Sequence, residues 1–163
     1  MPVAEGTAGR TTPLEIGEVA PDFTLPDGNR SLVHHSEFVG DRVAVVVFYP
    51  WAFTSVCTAE LCSVRDRLPE LTNDASATVA ISCDATATLR ELTRREGLEF
   101  PVLSDHWPHG EVSSAFGVFD DQIGAALRGT FILDPDRVVR WRVLNAVPDA
   151  REIDEYVRAL AHL

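Results

Sequence analysis

The segment Arg42 to Tyr49, RVAVVVFY, constrains the fold of this chain more than any other. A near-continuous apolar run rich in β-branched residues predicts a strand buried on both faces, the kind found at the centre of α/β sheets. It stops at Pro50, which has no N–H to continue a ladder. At 163 residues the chain is expected to form one domain. A chain of this size buries roughly 68–70% of the surface its unfolded form exposes, so its core needs no staples.

The rest of the chain fits around that strand. Asp22–Leu25 and Ser31–Val33 flank the turn cluster Pro26-Asp27-Gly28-Asn29 and read as an N-terminal hairpin. Ser55 to Asn73 reads as one helix, because Cys57, Leu61, Val64, Leu68 and Leu71 form a stripe at spacings of three and four. Thr78–Ser82 reads as a strand, Thr86–Glu96 as a helix stopped by Gly97, Phe100–Leu103 as a strand, and Glu111–Phe116 as a helix stopped by Gly117. Arg128–Leu133 and Val138–Val143 flank the turn Asp134-Pro135-Asp136-Arg137, and Asp149–Leu163 is a closing amphipathic helix. This order predicts an α/β fold with a mixed central sheet flanked by helices. Residues 1–13 are expected to be a loose tail before a domain spanning 14–163.

Charge and cysteine usage narrow the function. With 14 Arg and no Lys against 25 Asp plus Glu, the formal charge is -11. So acidic a surface repels phosphate backbones, and no concentrated basic stripe offsets it, so nucleic acid is not an expected partner. The longest apolar run, Val43–Tyr49, is far below the ~20 residues of a membrane-spanning helix, so no membrane association is expected. Residues 1–13 lack the apolar stretch of a signal peptide, which predicts a cytoplasmic protein. Three cysteines, Cys57, Cys62 and Cys83, are too few and too odd in number for a disulfide framework. They are fillers, metal ligands or chemistry.

The informative stretch is Pro50-Trp51-Ala52-Phe53-Thr54-Ser55-Val56-Cys57. It leads from the carboxyl end of the central strand, where α/β sheets place their sites, into the first turn of a helix. First-turn amides lack intrahelical partners and favour negative charge, and the thiolate is the reactive form of cysteine. With Thr54 as N-cap, Cys57 is the third helical residue, within reach of the Thr54 hydroxyl. Spacing alone equally allows Cys57 to be a small hydrophobe continuing the helix stripe.

Pro50-x-x-x-Thr54-x-x-Cys57 resembles the active-site motif of the peroxiredoxins, thiol peroxidases with a thioredoxin-like fold. The frame Phe48–Thr54 with Cys57-Thr58-Ala59-Glu60-Leu61 is similar to the AhpE type, as are Phe100–Asp105, Trp107-Pro108-His109-Gly110, Arg128-Gly129-Thr130-Phe131 and Ala20–Leu25. The resemblance runs from about Gly17 to the last helix. It implies that Cys57 attacks a peroxide and becomes a sulfenic acid, that Thr54 holds the peroxide, and that Pro50 shields the pocket. It further implies that Arg128 stabilises the thiolate and the leaving oxygen, with Glu60 orienting Arg128; an exposed strand Arg and a solvated helix Glu are the plainer alternatives. Hydrogen peroxide or organic hydroperoxides are the implied substrates, a thioredoxin-type or low-molecular-weight thiol the reductant, and a homodimer the assembly. No cofactor is implied.

Cys62 follows Cys57 with four residues between, a spacing that resembles the PrxQ (bacterioferritin-comigratory) peroxiredoxins and departs from the AhpE pattern. The PrxQ resemblance implies a Cys57–Cys62 disulfide. Residues five apart in an intact helix are rotated about 140° and lie roughly 8.6 Å apart at Cα, beyond the ~7 Å a disulfide spans. Such a bond therefore requires the first helical turn to unwind. Cys83 is a second resolving candidate, and an external thiol a third. Rival readings stay open: a zinc site lacks a second ligand pair, a dithiol oxidoreductase lacks Cys-x-x-Cys, and a non-catalytic binding module would not need Thr54 or Arg128.

Overall fold

The computed structural model of the protein describes residues 10–145 and 152–163. Its centre is β3, Val43–Phe48, buried after its first residue. β3 pairs in parallel with β4, Ser76–Ser82, and antiparallel with β8, Arg128–Leu133. The parallel strand β5, Val102–Ser104, and the antiparallel strand β9, Val139–Asn145, extend the sheet to the order β5-β4-β3-β8-β9. The mixed α/β sheet expected from the sequence is thus present. The N-terminal hairpin is also present, as β1 (Thr24–Pro26) and β2 (Leu32–His34). Two short features have no counterpart in the sequence reading: the helix α1, His35–Val39, and the hairpin of β6 (Phe119–Asp120) with β7 (Ala125–Ala126).

Strand alternation sorts the core into two layers. Val45, Val47, Ala80 and Ile132 meet Leu61 and Val64 of α2 (Ser55–Asp66), Leu89 and Leu92 of α4 (Thr86–Glu96), and Tyr156 of α6 (Ile153–Ala161). Val46, Phe48, Val79, Ile81 and Phe131 face the other way, onto Phe116 and Val112 of the segment around α5 (Glu111–Ala115). There Phe48, Phe116 and Phe131 pack with ring centroids 5.0 to 6.0 Å apart, each pair adding ~0.5–1.5 kcal/mol beyond burial.

Several boundaries differ from expectation, most by one or two residues. The helix read as Ser55–Asn73 is two: α2 ends at Asp66, and α3, Leu68–Leu71, follows a break at Arg67 (φ -117°). Pro69 is the cause, since it has no N–H and its ring clashes with the carbonyl four residues back. Leu68 and Leu71 still reach the same core, so the apolar stripe continues through a broken helix. β4 starts at Ser76, two residues early, and β5 is displaced to Val102–Ser104. The closing helix is described over Ile153–Ala161; residues 149–151 of its expected span lie outside the described residues, as do residues 1–9 of the expected tail. Gly97 caps α4 in the left-handed conformation, as expected. Gly117 (φ +75°) packs against the Thr12 carbonyl with no room for a Cβ, and Arg10 N–H donates to the Ser114 carbonyl at 3.0 Å.

Candidate active site

β3 delivers the chain to the carboxyl edge of the sheet. Tyr49 N–H still donates to Ile81 O at 3.1 Å, and Pro50 is buried directly after it. The chain then turns through Trp51–Thr54 and enters α2. Phe53 makes the turn with φ +62°, a left-handed conformation costly for a non-glycine residue. Its ring is capped by the Arg95 guanidinium, 4.9 Å from the centroid.

Thr54 is the N-cap and Cys57 the third residue of α2, as the spacing predicts. Cys57 is fully buried against Val47, Tyr49 and Leu61. One expected contact is not made. The Thr54 hydroxyl does not cap the helix; it donates to the Trp51 carbonyl at 3.0 Å. The tight left-handed turn at Phe53 brings that carbonyl back toward Thr54, and an internal loop bond replaces the cap.

Register explains how Arg128 reaches the same place. Thr130 lies opposite Val47, so Arg128 stands two residues further on, at the carboxyl end of β3. Alternation puts Arg128, Thr130 and Ile132 on the α2 side, where the Thr130 hydroxyl meets Tyr156 Oη at 2.7 Å. Arg128 is buried, and its Nη1 donates to Glu60 Oε1. Glu60 is itself buried, one helical turn after Cys57, a spacing that holds side chains about 5–6 Å apart. The plainer sequence alternatives, a solvated Glu60 and an exposed Arg128, are not what the fold contains. The site therefore gathers Pro50, Thr54, Cys57, Glu60 and Arg128 at one strand end.

The other two thiols lie apart from it. Cys62 is half-buried on α2 beside the end of α4, and its Sγ–H donates to Glu96 Oε2 at 3.3 Å. Burial, and then the Glu96 carboxylate, push its pKa up. Cys83 follows β4 with the opposite parity to Ser82. It sits with Ser113 and Ala126, on the α5 side of the sheet, and burial with the Asp105 carboxylate pushes its pKa up to about 12.

Asp84 is the residue that sequence reasoning passes over. Its Oδ2 accepts the Ala52 N–H at 2.9 Å and the Ser82 hydroxyl at 2.7 Å. Its position just past the end of β4, beside the central strand, is the signal that could have found it. Burial suppresses ionisation of the neighbouring Tyr49 hydroxyl, which faces Ser82, Asp84 and Cys57. Among the described residues no group of three or more His, Cys, Asp or Glu is placed to hold a metal ion. His34 instead meets Asp22 at 3.2 Å, and His106 Nδ1 lies 3.3 Å from Cys83 O. No helix of the described residues is long and apolar enough to cross a membrane.

A buried cysteine in the first turn after the central strand, on a thioredoxin-like sheet and beside a buried Arg, defines the class: a thiol-dependent peroxidase. A family model described as "AhpC/TSA family" matches residues 16–142, and the chain belongs to that family of peroxiredoxins. It is 43% identical over 150 residues to alkyl hydroperoxide reductase E of Mycobacterium tuberculosis, covering 92% of this chain and 98% of that protein. A peroxiredoxin of Thermoplasma volcanium is 29% identical over 157 residues, covering 93% of this chain and 75% of the relative. Among solved structures, peroxidoxin BcpB from Mycobacterium tuberculosis superposes with a TM-score of 0.83 at 28% identity, covering 92% of this chain and 98% of that one. Enterococcus faecalis AhpC superposes with a TM-score of 0.80 at 27% identity, covering 90% of each chain.

Proposed function

We propose that Cys57 is the peroxidatic nucleophile of this enzyme, acting on hydrogen peroxide or organic hydroperoxides. The observation that carries the reading is the burial of Cys57 at the third position of α2 with Arg128 held beside that helix by Glu60. The Cys57 thiolate attacks one peroxide oxygen; the O–O bond breaks, the other oxygen leaves as water or alcohol after taking a proton, and the sulfur becomes a sulfenic acid. Thr54 holds the peroxide, Pro50 excludes water, and Arg128 stabilises the charge growing on the leaving oxygen. A relative 43% identical over 150 residues is named an alkyl hydroperoxide reductase, which supports organic hydroperoxides as substrates.

Cys62 resolves the sulfenic acid: its sulfur bonds to Cys57 sulfur and water leaves. A thioredoxin-type or low-molecular-weight thiol then reduces the disulfide. The second reading is a one-cysteine cycle with an external thiol. It is favoured by the intact α2 between the two cysteines and by the bond from Cys62 to Glu96. The enzyme works in the cytoplasm as a homodimer, with its one domain beginning near Leu14. Peptide mapping after limited peroxide separates the two cycles: a Cys57–Cys62 disulfide supports the first, and a sulfenic acid persisting on Cys57 supports the second.

A further inference from the structure

We infer that Asp84 is a positioning residue for peroxide reduction: by bonding the Ala52 amide it fixes the Pro50–Thr54 loop against the sheet. The inference rests on the peroxidatic role of Cys57 proposed above. Pro50 has no N–H, so the first residues after β3 offer few amides with which to tie the loop down. The Ala52 N–H, midway between Pro50 and Thr54, goes to Asp84 Oδ2 at 2.9 Å. Thr54 is bonded within the loop, to Trp51 O, so the place of its hydroxyl follows the place of the loop.

Asp84 is itself held by three bonds to two serines. Its Oδ2 takes the Ser82 hydroxyl at 2.7 Å, its N–H donates to Ser82 Oγ at 3.3 Å, and its carbonyl accepts the Ser104 hydroxyl at 2.6 Å. Ser82 and Ser104 are paired residues of β4 and β5, so the carboxylate is mounted on the rigid sheet. A carboxylate–amide bond is roughly twice as strong as a neutral one. It offsets the cost of the left-handed Phe53 in the turn it anchors. Displacing reacting groups by about 1 Å can cost ~100-fold in rate, so a loop anchor of this kind acts on the chemistry without touching it.

The test compares full-length wild type, Asp84→Ala and Asp84→Asn in two reactions of Cys57. One is oxidation by hydrogen peroxide, and the other is alkylation by iodoacetamide, which uses the thiolate but not the peroxide-holding groups. Asp84→Ala is expected to slow oxidation about 10- to 100-fold while alkylation stays within about threefold of wild type. Asp84→Asn keeps one amide oxygen that can accept both the Ala52 N–H and the Ser82 hydroxyl, and is expected to restore oxidation to within about threefold. Oxidation of Asp84→Ala at the wild-type rate, or an equal fall in both reactions, would overturn the assignment. So would an Asn variant that folds yet oxidises as slowly as the Ala variant. Wild-type Cys57 inert to peroxide would overturn the peroxidatic reading and this assignment together.

Discussion

The Glu60 carboxylate and the Arg128 guanidinium form a buried ion pair that ties α2 to the start of β8, one helical turn beyond Cys57. Removing one member of such a pair strips a buried charge of this counter-charge, at a cost of up to about 3–5 kcal/mol. Glu60→Ala is therefore expected to lower the urea midpoint sharply. The double variant Glu60→Gln/Arg128→Met is expected to be more stable than Glu60→Ala, because neither charge of the pair is then buried. Urea titrations of both variants check this.

Rate should separate from stability at two positions. Thr54→Val is close to isosteric and half-exposed, so its fold should be retained. Its oxidation by hydrogen peroxide is expected to fall by about 10²–10³, the usual loss for one transition-state donor. Thr54→Ser should recover most of that. Arg128→Ala should lose a similar factor in rate while also being destabilised, and stopped-flow oxidation with parallel thermal melts distinguishes the two.

Much of this site was legible in the sequence, and what escaped did so for physical reasons. The two-sided burial of Ala44–Phe48, the first-turn place of Cys57 and the strand starting at Arg128 follow from local pattern. Asp84 escaped because its partner Ala52 is 32 residues away and meets it only through the parallel pairing of β3 with β4. The face of Cys83 escaped although β4 ends at Ser82 as read, because which side of the sheet carries α2 is set by tertiary packing and not by local pattern. Pro69 stood in plain view, but Leu68 and Leu71 kept the helical period through the break it causes.

Cys62 gives a pH-dependent prediction. Its thiol is held up by burial and by Glu96, so little thiolate exists near neutrality. If it resolves Cys57, disulfide formation should accelerate with rising pH, by about tenfold per unit until the raised pKa is passed. Glu96→Gln removes a charge that opposes the thiolate and should move that profile to lower pH. The same step should reduce the helical circular-dichroism signal, because α2 must open for the sulfurs to meet. Rapid-quench mapping against pH checks the rate, and circular dichroism of the oxidised protein checks the helix.

His35 predicts how the fold responds to acid. It is buried beside Phe23 with Nδ1 unpartnered, facing Asp22, Arg137 and His34. Burial lowers its pKa from 6.5 to about 4. The unfolded chain therefore binds the extra proton first. The stabilisation is complete above pH 6.5 and is lost as pH falls toward about 4, on the order of 3 kcal/mol. His35→Gln, which does not titrate, should flatten that part of the curve, as measured by urea midpoints across the window.

The most direct test of the account is the intact mass and peptide map of the reduced protein, acid-quenched within seconds of adding one equivalent of hydrogen peroxide. The account predicts that the peroxide is consumed and that Cys57 carries either one added oxygen or a disulfide. Cys57 recovered as an unmodified thiol, with the peroxide untouched, would contradict it.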